Sequence, residues 1–244
     1  MVIVGASDIG LSRSENQDDF AYKVLSENAG FGLVCDGMGG ANGGAIASHI
    51  ASHLIAERIV QAYRPEMSGN SADNVLESAV AAANVDIFDM AVQDLNLAGM
   101  GTTVVGGILL RDAMHIVHVG DSRAYLYRNG ILEQITTDHS YVQDMIDKGQ
   151  ITPEQARSDP RKHIITRALG VENEVQADFD IIMPVEKNDL FLFCSDGLTN
   201  MVDSEEIQKL LDTTAIADLP QALIAAANDN GGTDNITAVI IVQE

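Results

Sequence analysis

Four aspartates sit where a short apolar run meets a glycine-containing turn: Asp36 in VCDGMGG, Asp121 in HVGDSR, Asp196 in FCSDGL and Asp234 in GGTDN. A strand fixes the direction of its last side chain, and a neighbouring glycine lets the backbone turn so that a carbonyl oxygen can face the same point. One Asp-Gly pair is an ordinary turn signal. Four such aspartates, spread from position 36 to position 234, restrict the chain to folds that can gather strand ends from distant parts of the sequence.

The apolar runs read as strands over 31–35, 102–110, 114–119, 123–128, 179–183, 189–194 and 236–242. Asn129-Gly130 predicts a tight hairpin turn after the fourth, because that pair tolerates positive φ. Two long helices are expected. Over 43–63, Ile46, Ile50 and Leu54 recur at helical spacing with Ala47, Ala51 and Ile55 beside them; over 72–97, Leu76, Val80, Ala83, Ile87 and Met90 form a second stripe. Shorter helices are expected near 139–149, 153–158, 204–212 and 219–228. Strands in runs, a block of helices and then more strands make an α+β pattern, since a doubly wound parallel sheet requires strict alternation. No repeat or Pro/Ser linker divides the 244 residues, so a single domain over 1–244 is expected.

With 36 acidic and 14 basic residues the net charge is −22, which opposes binding to nucleic acid and to anionic lipid. The start MVIVGASDIG lacks the basic and long apolar stretches of a signal peptide, and no apolar run approaches a membrane span. No membrane insertion and a cytoplasmic location are expected. Cys35 and Cys194 follow apolar runs and read as buried free thiols.

If the four aspartates converge, they cannot all remain ionised without compensation. Carboxylates and carbonyls are hard ligands that suit magnesium or manganese, whereas zinc favours His and Cys. Two such ions about 3.5–4 Å apart can activate a shared water for attack on phosphorus. Arg13, in GLSRSENQDDF, is a candidate for holding phosphate through its forked guanidinium. His49, His53 and Glu57 share one helix face but do not form HExxH, and read as a solvated polar face. ANDNGGTDN fails as an EF-hand loop because the twelfth position from Asp229 is Ile240.

GLSRSENQDDF, CDGMGGANGG, GMGTTVVGG, HVGDSRAYLYRNG, CSDGLTNMV and GGTDNIT, in this order and spacing, resemble the type-2C, metal-dependent protein Ser/Thr phosphatases in their short bacterial form. The resemblance covers Ser7 to Val242. It implies a four-layer α-β-β-α sandwich of two antiparallel sheets, each covered by a helix pair, with a small flap subdomain at about 138–165. It implies that Asp36 bridges two core Mn2+ or Mg2+ ions, that the Gly37 carbonyl binds one, and that Asp196 and Asp234 bind the other. Asp121 and Asp196 match a pair holding a weaker third ion. Arg13 matches the phosphate-binding arginine, Asp18 an acidic residue orienting metal-bound water, and Asn235 a support for the loop of Asp234. The resemblance further implies phosphoserine and phosphothreonine in proteins as substrates, including a cognate eukaryotic-like Ser/Thr kinase and its targets. Monomer is the default state.

Two positions depart from the animal enzymes. Gln17 stands where they have a Glu near the second metal, which predicts weaker binding of that ion. Met38 stands where they have a proton-donating His, and a thioether has no proton to give. A metal-bound water or the substrate's surroundings is expected to supply it; His139 and His163 are alternatives that the sequence does not place. Arg157, Arg161, Lys162 and Arg167 concentrate basic charge in the flap region, either to draw in phosphoproteins or to pair with nearby acids.

Overall fold

Successive side chains of a strand point to opposite faces, so the runs over 104–110, 190–194 and 236–242, buried at every position, pack on both faces. A computed structural model describes residues 1–39 and 43–244; Gly40, Ala41 and Asn42, within the CDGMGGANGG motif, lie outside the described residues. In chain order the elements are β1 (Val2–Asp8), β2 (Asp18–Ser26), β3 (Ala29–Met38), α1 (Gly43–Ala62), α2 (Gly69–Gln93), β4 (Gly101–Thr102), β5 (Val104–Leu110), β6 (Ala113–Val119) and β7 (Arg123–Arg128). They continue with β8 (Ile131–Gln134), α3 (Tyr141–Asp147), α4 (Pro153–Arg157), β9 (Asp178–Ile182), β10 (Leu190–Cys194), α5 (Asp196–Thr199), α6 (Ser204–Thr213), α7 (Leu219–Asp229) and β11 (Ile236–Val242).

One sheet has the order β1-β11-β10-β7-β8 and the other β2-β3-β5-β6-β9, with β4 paired to β3. All the pairings are antiparallel. Three apolar layers hold them together. Between the sheets, Val34, Val105, Leu109, Met114 and Ile116 meet Leu126, Phe191, Phe193, Val239 and Ile241. The alternate residues Phe31, Leu33, Ile108 and Val117 pack outward against α1 and α2. On the other side, Leu190, Leu192, Ile236 and Ile240 pack against Leu198, Ile207, Leu219 and Leu223 of the α5–α7 region. The expected α+β, four-layer α-β-β-α sandwich is therefore the observed fold.

Several expectations need adjusting. β1 and β2 were not anticipated as strands, and the 102–110 strand breaks at Thr103. In α1 the deepest stripe is Ala47, Ala51 and Ile55, with Ser48 and Ser52, while Ile46, Ile50 and Leu54 are only partly buried. Small side chains on that stripe let the helix approach the sheet closely. In α2, Met90 is exposed although Leu76, Val80, Ala83 and Ile87 are fully buried. Asn129 and Gly130 both have positive φ, as the hairpin requires. Cys35 and Cys194 are free and buried, and burial raises both thiols, Cys194 to about 12.

The sheets approach closely at Gly32, where an added Cβ would lie 2.7 Å from Val239 Cγ1. Gly32→Ala should therefore cost about 1–3 kcal/mol by overpacking this layer, read as a fall in melting temperature of roughly 2–10 °C. An unchanged melting temperature would show that the layer has room to spare.

Candidate active site

Strand alternation decides which carboxylates face one another. Along β3 the positions directed between the sheets are Gly30, Gly32, Val34 and then Asp36; Asp18 on β2 lies directly across from Asp36 in the register. Asp36 is held by its backbone. Its N–H donates to Thr103 Oγ1 (3.0 Å), and its carbonyl accepts from Thr103 N–H (2.8 Å) and Thr102 Oγ1 (2.9 Å). The break in the strand at Thr103 thus frees a residue to anchor Asp36. Ser122 Oγ, next to Asp121, lies 2.8 Å from Thr103 Oγ1, which joins the Asp36 and Asp121 loops.

Asp18 is buried. Its Oδ2 accepts from Ser195 Oγ and Thr237 Oγ1, both at 2.7 Å, while its Oδ1 is buried with no hydrogen-bond partner among the described residues. Ser195 immediately precedes Asp196 at the start of α5, and Thr237 lies on β11 close to Asp234. Asn235 ties the same corner together. Its side chain donates to the carbonyls of Ile9 (2.9 Å) and Glu15 (3.0 Å) and accepts from Gln17 N–H (2.8 Å), so the Arg13 segment is fastened to the Asp234 loop. Gly197 is required here, because a Cβ on it would collide with the Asn235 carbonyl. Gly37 and Gly44 likewise pack too closely for side chains.

Asp36, Asp121, Asp196, Asp234 and Arg13 are brought to one end of the inter-sheet layer. Burial is the main cause raising the Asp36 carboxyl well above its usual range, followed by repulsion from Asp18, Asp196, Asp121 and Asp234. Burial and then Asp196 raise Asp121 similarly. Asp196 is raised by burial and by Asp234, and is partly relieved by His163 and by a 2.8 Å hydrogen bond from Asn200. Arg13, about half exposed, donates to Asp234 Oδ2 at 2.7 Å.

A cleft of about 660 Å³ runs from Asp121 and Asp196 to α3 and α4, with Arg157 and Lys162 in its lining. Of the basic cluster in the flap region, Arg161 makes a two-pronged bond to Asp159 and lies over Tyr141, and Arg167 bonds Asp178. Lys162 bonds Asn200 at 3.2 Å. Pairing with local acids thus accounts for Arg161 and Arg167.

His139 is buried with both ring nitrogens engaged. Nδ1 accepts from Gly120 N–H (3.1 Å), which leaves Nε2 to donate to Asp178 (3.1 Å). With Gly120 O accepting from His139 N–H at 2.7 Å and Arg167 also 3.2 Å from Nε2, this residue clamps the turn before Asp121 with both ring nitrogens already partnered. His163 is exposed and close enough to Asp196 to favour its ionised form. Met38 pairs with Gly101 at the end of β3. The sequence reading missed Thr103, Ser195, Thr237 and the Arg123–Asp138 pair, in which Arg123 donates at 2.8 and 2.7 Å. Only their closeness to the glycine turns marked them.

The Asp18 carboxyl is raised by burial to about 7. A folded-state value above the unfolded one means that the native state binds more protons between about pH 4 and 7, so stability falls as pH rises through that window. Melting temperatures of chelator-treated protein should decline from pH 5 to 7.5, and Asp18→Asn should flatten the decline. A rise with pH in the unsubstituted protein would contradict the assignment.

The sequence matches the family described as Protein phosphatase 2C across residues 5–236. The serine/threonine phosphatase stp of Listeria monocytogenes is 36% identical over 242 residues, covering 98% of this chain and 94% of that protein. The solved Mycobacterium tuberculosis serine/threonine phosphatase PstP/Ppp superposes with a TM-score of 0.91 at 34% identity, over 100% of this chain and 98% of that one. A second solved structure, the catalytic domain of PstP in complex with two manganese ions, gives a TM-score of 0.84 at 33% identity, over 100% and 98% of the two chains. A family match across nearly the whole sequence, joined to the same fold, means that the chain belongs to the protein phosphatase 2C family.

Proposed function

We propose that the carboxylate cluster between the sheets is the hydrolytic centre of a metal-dependent protein serine/threonine phosphatase. The observation that carries this reading is the meeting of Asp36, Asp121, Asp196 and Asp234 with Arg13 at one end of the layer between the sheets, where burial and repulsion disfavour the ionised forms of Asp36, Asp121 and Asp196. Such a donor set, all oxygen and short of compensating charge, fits hard divalent cations. The orphaned Asp18 Oδ1 behind it agrees with that fit.

In this reading Asp36, the Gly37 carbonyl, Asp196 and Asp234 would hold two Mn2+ or Mg2+ ions, and Asp121 with Asp196 would hold a weaker third. Two manganese ions in the PstP structure support the core pair. When bound, the ions offset the repulsion and supply an activated water for attack on phosphorus. Arg13 grips phosphate oxygens through its fork once Asp234 no longer engages it. Asp18, with one oxygen held by Ser195 and Thr237, orients the attacking water with the other, and Asn235 keeps the Arg13 and Asp234 loops in register. Gln17 offers the second ion one carboxylate fewer. Met38 donates no proton, so the leaving alkoxide takes one from water or from its own surroundings.

The whole chain, 1–244, then works as one phosphatase domain with 138–165 as a flap beside the cleft. Arg157 and Lys162, which line the cleft, are the flap cations that would meet a phosphoprotein in this reading. Substrates of this kind include a Ser/Thr kinase and the proteins it phosphorylates, with the phosphatase acting as a cytoplasmic monomer. Among the described residues no helix is long and apolar enough to cross a membrane, and the −22 charge disfavours nucleic acid and anionic lipid as partners.

Asp36→Asn conserves shape while removing a charged ligand, and should lower kcat on a phosphothreonine peptide by roughly 10³-fold, equivalent to several kcal/mol of lost charge stabilisation. Circular dichroism should show the variant folded. Near-normal turnover by the folded variant would refute the role given to Asp36.

A further inference from the structure

On the face of β2 opposite the carboxylate cluster, Asp19, His49 and His53 each present one ligand atom, all within 4.8 Å of one another. We propose that these three residues form a separate site for a borderline transition-metal dication such as Zn2+.

The site is built from two periodicities. His49 and His53 stand at i and i+4 on α1 and share a face; their rings lie 4.0 Å apart. Alternation along β2 turns Asp18 between the sheets and Asp19 toward α1. His49 Nδ1 lies 2.9 Å and His53 Nε2 3.9 Å from Asp19 Oδ2. A tetrahedral zinc ion with bonds of about 2.0–2.1 Å requires donors roughly 3.3 Å apart, a spacing that lies between these two. The carboxylate is already held in place, since Phe20 N–H donates to Oδ1 (2.8 Å) and Ser52 Oγ to Oδ2 (2.9 Å). Outer hydrogen bonds of this kind orient a ligating group before the metal arrives.

Ligand chemistry separates this site from the inter-sheet cluster. Two imidazoles with one carboxylate suit zinc, cobalt or nickel, whereas an all-oxygen set suits magnesium and manganese. The imidazoles are 64% and 67% exposed and the carboxylate 25%, so an ion reaches them directly from solvent and keeps a position for water. A bound ion clamps α1 to β2, one residue from Asp18. The site does not depend on the phosphatase reading.

The test is equilibrium dialysis of the whole chain against micromolar Zn2+ with Mg2+ in large excess, comparing unsubstituted protein with the double variant His49→Ala/His53→Ala. The unsubstituted protein should take up one more zinc per chain and gain about 5 °C or more in melting temperature at a hundredfold excess over Kd; the double variant should lose both. Asp19→Asn should weaken uptake with the histidines intact. Manganese-dependent turnover should be unchanged in the double variant, which shows it folded. Equal zinc uptake and an equal thermal shift in the two proteins would overturn the proposal, as would unsubstituted protein that takes up no additional zinc.

Discussion

Asp36 stands near the end of a strand whose preceding inward positions are two glycines and a valine, so its carboxylate stands at the rim of a layer made almost wholly of aliphatic and aromatic side chains. Burial there disfavours charge, and Asp18, Asp121, Asp196 and Asp234 add repulsion from the same side. An arrangement this unfavourable persists only where the surrounding fold over-determines it. The fastenings are visible: Thr103 grips both backbone groups of Asp36, Ser195 and Thr237 hold one oxygen of Asp18, and Asn235 joins its own loop to residues 9–17, more than 200 positions earlier in sequence. The strain that the carboxylates impose is the same property that makes the site receptive to divalent cations.

The sandwich supplies what such a site needs. Two sheets pressed together at Gly32 exclude water from the layer, and the helix pairs outside them stiffen each sheet independently. The carboxylates can therefore come from strand ends of both sheets and still be held to one position. The cleft opens toward α3 and α4, and of the cations that follow α4, Arg161 and Arg167 are paired with Asp159 and Asp178. Arg157 and Lys162 line that cleft and set local positive charge against an otherwise acidic molecule.

Much of this was legible in the sequence, and what was missed has a physical explanation. Strands with unbroken apolar runs, such as β10 and β11, declare themselves because both of their faces are buried. β1 and β2 do not: Gly5 and Ala6 thin out the first, while Asp18, Asp19 and Lys23 dilute the second. Overlooking β2 had a cost. With its alternation in view, Asp18 and Asp19 would have been assigned to opposite faces, and the histidines of α1 would have had a candidate partner. The aspartates at glycine turns were readable because chemistry demands carboxylates there. Thr103, Ser195 and Thr237 were not, since a hydroxyl near a turn has many ordinary uses and only the register across the sheets brings these three to Asp36 and Asp18.

The central claim is that clustered carboxylates act through hard divalent cations to hydrolyse phosphoprotein. It is tested most directly by stripping the protein with chelator, returning manganese in steps and following phosphate release from a phosphothreonine peptide, with calcium in a parallel series. The account predicts no release without metal, release that rises and saturates with manganese, and little with calcium. Folded protein that stays silent at every manganese concentration, or that hydrolyses the peptide equally well after stripping, would contradict it.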